Sequence, residues 1–139
     1  MKSLIALLAA LLAPGAAIAT EWILVGSNKG TTSYVDPSSI QKKGDKVTGA
    51  WLIEMQDPIV FGGSKIFSVK TRREFDCKNW EVRTLLESGF SEHKGEGSQI
   101  YSINEAKSWQ VAVPYSSGEL QLRHACGKRG REEEAEVGV

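Results

Sequence analysis

From Lys46 onward, apolar and polar side chains alternate with a period of two. Val47, Trp51, Ile53 and Met55 share one parity, and Thr48, Glu54 and Gln56 take the other. Such a pattern lays an apolar stripe along one face of a half-buried strand. The next run is longer: Phe67, Val69, Thr71, Phe75 and Cys77 fall on one face, Ser68, Lys70, Arg72, Glu74 and Asp76 on the other. Arg73 breaks the inward set, which predicts either a bulge or a guanidinium that reaches a carboxylate at the sheet rim. Beyond Lys78-Asn79, Trp80, Val82, Thr84, Leu86 and Phe90 repeat the pattern against Glu81, Arg83 and Glu87. So short a link joins antiparallel strands, because a parallel pair needs a crossover of about a dozen residues.

The flanking segments extend this picture. Trp22-Ile23-Leu24-Val25 reads as a short strand, stopped by the turn-rich Gly26-Ser27-Asn28-Lys29-Gly30, and Thr31 to Val35 as a second. Asp36-Pro37-Ser38-Ser39-Ile40 is a turn with one helical turn after the proline, and Lys43-Gly44-Asp45 is another turn. Asp57-Pro58 and Phe61-Gly62-Gly63-Ser64 mark a loop whose Ile59, Val60 and Phe61 are expected to cap one end of the core. Ser91 to Ser98 is a polar loop punctuated by glycine; Gln99 to Ile103 and Trp109 to Val113 resume extended structure, and Pro114 closes it. Ser116 and Glu119 have the spacing of a capping box, which predicts a helix from Ser117 to Ala125 or Cys126, stopped by Gly127. A strand is the competing reading there, because Leu120, Leu122 and His124 also alternate. The fold class is therefore α+β: a single antiparallel sheet of about six strands with a C-terminal helix.

The two ends read differently. Met1-Lys2-Ser3 is cationic, Leu4 to Leu12 is wholly apolar, and Pro14-Gly15 precedes Ala17-Ile18-Ala19. This is the form of an export signal, residues 1–19, cut between Ala19 and Thr20. Its apolar run is shorter than the roughly 20 residues that span a bilayer. No cysteine stands at the cut to accept a lipid, and no second hydrophobic segment would insert after cleavage. The expected destination is the periplasm, the medium or the cell surface, without a lipid anchor. Residues 128–139 lack apolar periodicity and are rich in glutamate, as in a solvated tail. Residues 20–127 are then one domain.

Charge and cysteine content narrow the function. Lys and Arg number 17 and Asp and Glu 17, a balance that gives no electrostatic case for nucleic acid. The only two cysteines, Cys77 and Cys126, lack the Cys-x-x-Cys spacing of redox motifs. In an oxidising compartment they are expected to form one disulfide that ties helix to sheet. No catalytic, cofactor or metal site is predicted. His93 stands in a polar loop with Glu92 and Glu96 and His124 on the helix, whereas zinc needs three or four ligands. Glu74 and Asp76 lie among Lys70, Arg72 and Lys78, which favours cross-strand charge pairing over two-carboxylate chemistry. The glycines fit neither phosphate-binding pattern. Trp22, Trp51, Trp80 and Trp109 are expected mainly as core.

Tyr34-Val35-Asp36 with Ser39-Ile40, Gly44 and Val47 leading to Trp51, Ser68-Val69-Lys70, Phe75-Asp76-Cys77, Gly97, Trp109, Pro114-Tyr115-Ser116 and Cys126 occur in this order. Over roughly residues 22 to 127 the chain thereby resembles the surface-adhesin protein E family of Gram-negative bacteria. The resemblance implies a small antiparallel sheet packed with a C-terminal helix, joined cysteines and an exported, non-catalytic protein. It also implies binding to a protein, of the kind by which an adhesin takes hold of host extracellular-matrix or serum proteins. Lys65, Lys70, Arg72 and Arg83 are the basic residues expected on the outward face. The alternative role is a periplasmic accessory protein, such as a cell-wall enzyme inhibitor or an envelope-stress component, presenting the Ser91–Ser98 loop. Open sheet edges would also permit a homodimer.

Overall fold

The computed structural model describes Gly15 and residues 20 to 127. The rest of the expected leader, with Ala19 on one side of its cut, and the charged tail 128–139 lie outside the described residues. Eight strands, β1 (Ile23–Asn28), β2 (Thr31–Val35), β3 (Gln41–Lys43), β4 (Lys46–Phe61), β5 (Ser64–Asp76), β6 (Glu81–Phe90), β7 (Gln99–Ile103) and β8 (Gln110–Val111), precede the helix α1 (Ser117–Cys126). They form one antiparallel sheet in the order β1-β2-β4-β5-β6-β7, with β3 also on β4 and β8 also on β6. The sheet is thus six lanes wide, because two of its lanes are interrupted. A 3-10 turn at Pro37–Ser39 separates β2 from β3, and the amide of Ala50, left there without a strand partner, donates to Ser39 Oγ at 2.8 Å. Gly49 lets Ile40 pack closely beside that turn: a Cβ there would stand 2.6 Å from Ile40 Cδ1, and the Ile40 side chain would have to shift.

Alternation places the core as expected along β4 and the C-terminal half of β5. Val35, Val47, Trp51, Phe75, Leu122 and Ala125 are buried between sheet and helix, together with Ala112. A second cluster, Ile53, Met55, Ile66 and Val69, continues on the same side beyond the helix and is packed by Ile100 and Tyr101. Trp51 is fully buried, edge-on to Phe75 at 5.4 Å, and meets the ring of His124 at 5.9 Å.

Three expectations change. β4 runs through Pro58 to Phe61 and turns tightly at Gly62-Gly63, both at positive φ. Instead of capping the core, Ile59, Val60 and Phe61 are 55%, 65% and 56% exposed. The cause is strand pairing: Ile59 to Phe61 pair with Ser64 to Ile66 and carry the hairpin past the helix-covered area. A register slip between Glu54 and Ile59 also changes which residues face inward. Ile66 joins the second cluster, whereas Phe67 packs on the ring of His93 at 5.0 Å. Finally, the irregularity expected at Arg73 lies in the partner strand. Arg72 pairs with Leu86 but Arg73 with Thr84, so Leu85 is the extra residue. Past it the parity of β6 inverts, and Phe90 lies under Lys70 Nζ, 5.1 Å from the ring centroid, instead of joining the set of Val82.

The capped helix is present and the strand reading of that segment is not. Ser116 Oγ accepts from the Glu119 amide at 3.2 Å. Only half of the expected box is made: the Ser116 amide donates to Val113 O, and the Glu119 carboxylate turns to Arg123 at 3.5 Å. Cys77 and Cys126 are bonded, with Cα atoms 5.5 Å apart and a sequence separation of 49.

The β5–β6 turn is organised by Asp76, whose side chain is 5% exposed. Its Oδ1 accepts from the amides of Lys78 (3.0 Å) and Asn79 (2.9 Å), and its Oδ2 from Asn79 Nδ2 (2.8 Å) and Lys46 Nζ (3.0 Å). Burial alone would raise its pKa, but the hydrogen bonds from Asn79 and Lys46 and the charge of Lys46 outweigh it and hold the carboxyl at about 2. A depressed folded-state value stabilises the fold above the ordinary carboxylate pKa of about 4 and ceases to do so as pH falls toward 2. Asp76→Asn is therefore expected to lose on the order of 1–2 kcal/mol at neutral pH. Urea midpoints measured from pH 7 to 2 should converge for the two proteins at the acid end; curves that stay parallel would refute the assignment.

Candidate functional site

The face of the sheet turned away from α1 carries the even-numbered side chains of β2 and β4. Tyr34 pairs with Leu52 and Thr32 with Glu54 across those strands. Their neighbours at odd positions, Val35, Ser33, Trp51 and Ile53, are buried on the helix side. On the open face Leu52 is only 1% exposed although no helix covers it. Trp22, arriving at β1, and the loop after β6 wall it in. Together Trp22, Thr32, Tyr34, Leu52, Glu54, His93 and Lys94 line a cavity of about 610 Å³. A hollow with apolar walls and a few convergent polar groups is the usual form of a recognition site.

The wall made by residues 91–98 is fixed by hydrogen bonds. Ser68, fully buried in β5, donates through Oγ to Glu92 O at 2.5 Å and accepts the Gly95 amide at 2.8 Å. Glu54 accepts His93 Nδ1 at 2.6 Å on one oxygen and the Lys94 amide on the other. Ser91 and Ser98 clasp the base, amide to carbonyl at 3.0 Å and amide to hydroxyl at 2.8 Å. Lys94, Gly95 and Gly97 take positive φ to make this path. These bonds fasten the loop to the sheet, while Glu92, His93, Lys94, Glu96, Gly97 and Ser98 remain exposed.

The four basic residues expected as a patch do not form one. Lys70 and Arg72 lie on the open face at i and i+2 of β5, and Arg72 is exposed. Lys70 is covered in part by the loop, its Cε standing 2.2 Å from where a Cβ on Gly95 would lie. Arg83 is occupied: it pairs with Glu74 at 2.6 Å and stacks over the Trp109 ring at 4.7 Å. Lys65 sits apart on the hairpin arm, opposite Val60. Trp51 is core as expected, and Trp80 packs against the same cluster. Trp22 lines the open-face cavity, and Trp109 is half-buried beneath the cations of Lys46 and Arg83. Sequence reasoning did not assign Trp22, Glu54 and His93 to one site. The outward parity of Glu54 was readable, but the return of His93 over β4 depends on a loop path that periodicity does not encode.

Among the described residues no group of three or more His, Cys, Asp or Glu side chains stands together as a metal site. No helix among them is long and apolar enough to cross a membrane.

The surface-adhesin protein E family profile matches residues 22–127. Three solved structures of Haemophilus influenzae protein E share the fold. Crystal form II has 17% identity over 86% of this chain and 98% of that one, with a TM-score of 0.60. A selenomethionine form has 18% identity over 87% and 97%, with a TM-score of 0.57. The protein from non-typeable Haemophilus influenzae has 18% identity over 83% and 78%, with a TM-score of 0.53. No curated protein matches the chain.

Proposed function

Because this chain belongs to the surface-adhesin protein E family, we propose that it acts by binding a protein and not by catalysis, through the open face of its sheet. The reading names host extracellular-matrix or serum proteins as targets and places the chain outside the cytoplasm, at the cell surface or in the periplasm. The observation that supports it best is the open-face cavity. Its aromatic walls, Trp22 and Tyr34, give large contact area at small cost in side-chain entropy. Its loop wall is already held in place, which reduces the ordering cost of association. Arg72, exposed two residues along β5 from Lys70, supplies positive charge that steers an acidic partner and sets its register.

Binding of the protein to immobilised laminin or vitronectin tests this reading against a variant carrying Lys70→Glu and Arg72→Glu. The variant should retain its far-UV spectrum and bind roughly tenfold more weakly or worse, as expected for reversing two interfacial charges. Equal binding by the two proteins, or no saturable binding by either, would remove the reading.

A further inference from the structure

Arg73 is a strand cation on the helix side of the sheet, and its hydrogen-bond partners are neutral. Nε donates to Thr84 Oγ1 at 3.3 Å and Nη1 to Gln121 Oε1 at 2.8 Å. Gln121 is itself fixed by donating to Ser33 Oγ at 3.3 Å. Among the described residues Arg73 forms no ion pair. Burial lowers its pKa, and the charge of Glu87 acts in the opposite direction from beyond ion-pair distance. A guanidinium has five N–H donors in a planar fork, and two of them are accounted for here. Arg73 is half-buried, and a cation partly withdrawn from water gains from a counter-charge placed beside it.

The guanidinium borders a cavity of about 200 Å³ where β6, the segment before β8 and the start of α1 meet. Lys107 and Arg83 also line it, with Thr84, Ser116 and Ser117, and among the described residues no carboxylate does. Arg83 is committed to Glu74 on the other side of the strand. Lys107 is held at the mouth by its own amide, which donates to Thr84 O at 2.9 Å, and it is exposed. The first turn of α1 closes the opposite wall. Its capping hydroxyl on Ser116 is used, donating to Val113 O and accepting the Glu119 amide. The amides of Ser117 and Gly118 lie in the part of a helix that has no internal acceptor. Arg73 Nη1 lies against this turn, 3.9 Å from where a Cβ on Gly118 would be.

We propose that this cavity binds a tetrahedral oxyanion: phosphate or sulfate, free or carried as a sulfate ester on a polysaccharide. Arg73 supplies a half-buried charge and planar donors, Lys107 a second charge, and the first-turn amides of α1 the remaining donors. The bound oxyanion is the counter-charge that Arg73 lacks among the described residues. The site lies on the helix side of the sheet and is separate from the open face, so either assignment stands if the other fails.

Titration of the ¹⁵N-labelled protein with sodium phosphate and with sodium sulfate, each against sodium chloride of equal ionic strength, tests it. The expected result is saturable shifts at the Ser117 and Gly118 amides with both oxyanions. Both ions also stabilise proteins by general exclusion from the surface, which would give unsaturable shifts spread over the chain. Lys107→Glu, at an exposed position, should keep the wild-type spectrum and weaken binding roughly tenfold or more. Arg73→Gln should abolish the saturable shifts. A heparin fragment that displaces the inorganic ion from the same amides identifies a polysaccharide ester as the carrier, and failure to displace identifies the free ion. Chloride reproducing the shifts, shifts that do not saturate, or undiminished binding by Lys107→Glu overturns the proposal.

Discussion

Replacing Cys77 and Cys126 together by serine is expected to cost up to about 4 kcal/mol, the value chain entropy assigns to a closed loop of about 50 residues. For a domain of this size that lowers the midpoint of thermal unfolding by roughly 15 °C. The effect should not be uniform. α1 has ten residues, below the length at which an isolated helix holds in water. Its cap, its packing on Trp51 and the covalent bond at Cys126 keep it docked. Hydrogen exchange in the serine variant should therefore accelerate more at α1 amides than in β4 and β5. Reduced wild-type protein should match the variant. Thermal and exchange behaviour equal to that of the oxidised protein would mean that the bond constrains nothing the packing does not already fix.

Trp51→Ala is the second large effect, about 3–5 kcal/mol, because removing a fully buried aromatic side chain forfeits its transfer energy and leaves a cavity. The residue has no exposed surface and meets both Phe75 in the sheet and His124 on α1, so its loss loosens both layers at once. Its indole N–H is buried without a hydrogen-bond partner among the described residues, which makes Trp51→Phe informative. Phenylalanine removes the unpaired donor while keeping part of the volume, so it should cost markedly less than alanine. Urea unfolding of both variants checks this. An alanine variant within about 1 kcal/mol of wild type would contradict the burial described.

Both effects involve residues whose roles could be read from pattern. The parity of Trp51, the Ser116–Glu119 spacing and the position of Gly127 are local signals, and strands and helices answer to local signals. Legibility ended where one strand's geometry depends on another's. Leu85 is an ordinary strand residue, and its bulge exists only because the pairing of Arg73 with Thr84 skips it. Ile59 to Phe61 looked like a core cap because an apolar triplet beside Pro58 and two glycines suggests a buried loop. Their partners across the hairpin decided otherwise. The basic patch failed for a similar reason: Arg83 faces outward as alternation says, but a cross-strand carboxylate at Glu74 and the ring of Trp109 occupy it. The open-face cavity needed two further facts, the path of Trp22 and the return of His93 to Glu54, and neither has a periodicity to announce it.

The bond between Cys77 and Cys126 also determines how the domain would carry a mechanical load. Tension applied at Gly127 passes through Cys126 into the covalent link and emerges at Cys77, one residue past the end of β5. It reaches the middle of the sheet without peeling α1 from its surface. The intervening chain, which includes β6, β7, β8 and the cavity beside Arg73, is short-circuited and cannot be drawn out while the sulfurs remain joined. Under such a load the two cysteines set how far the domain can stretch before the sheet itself must open.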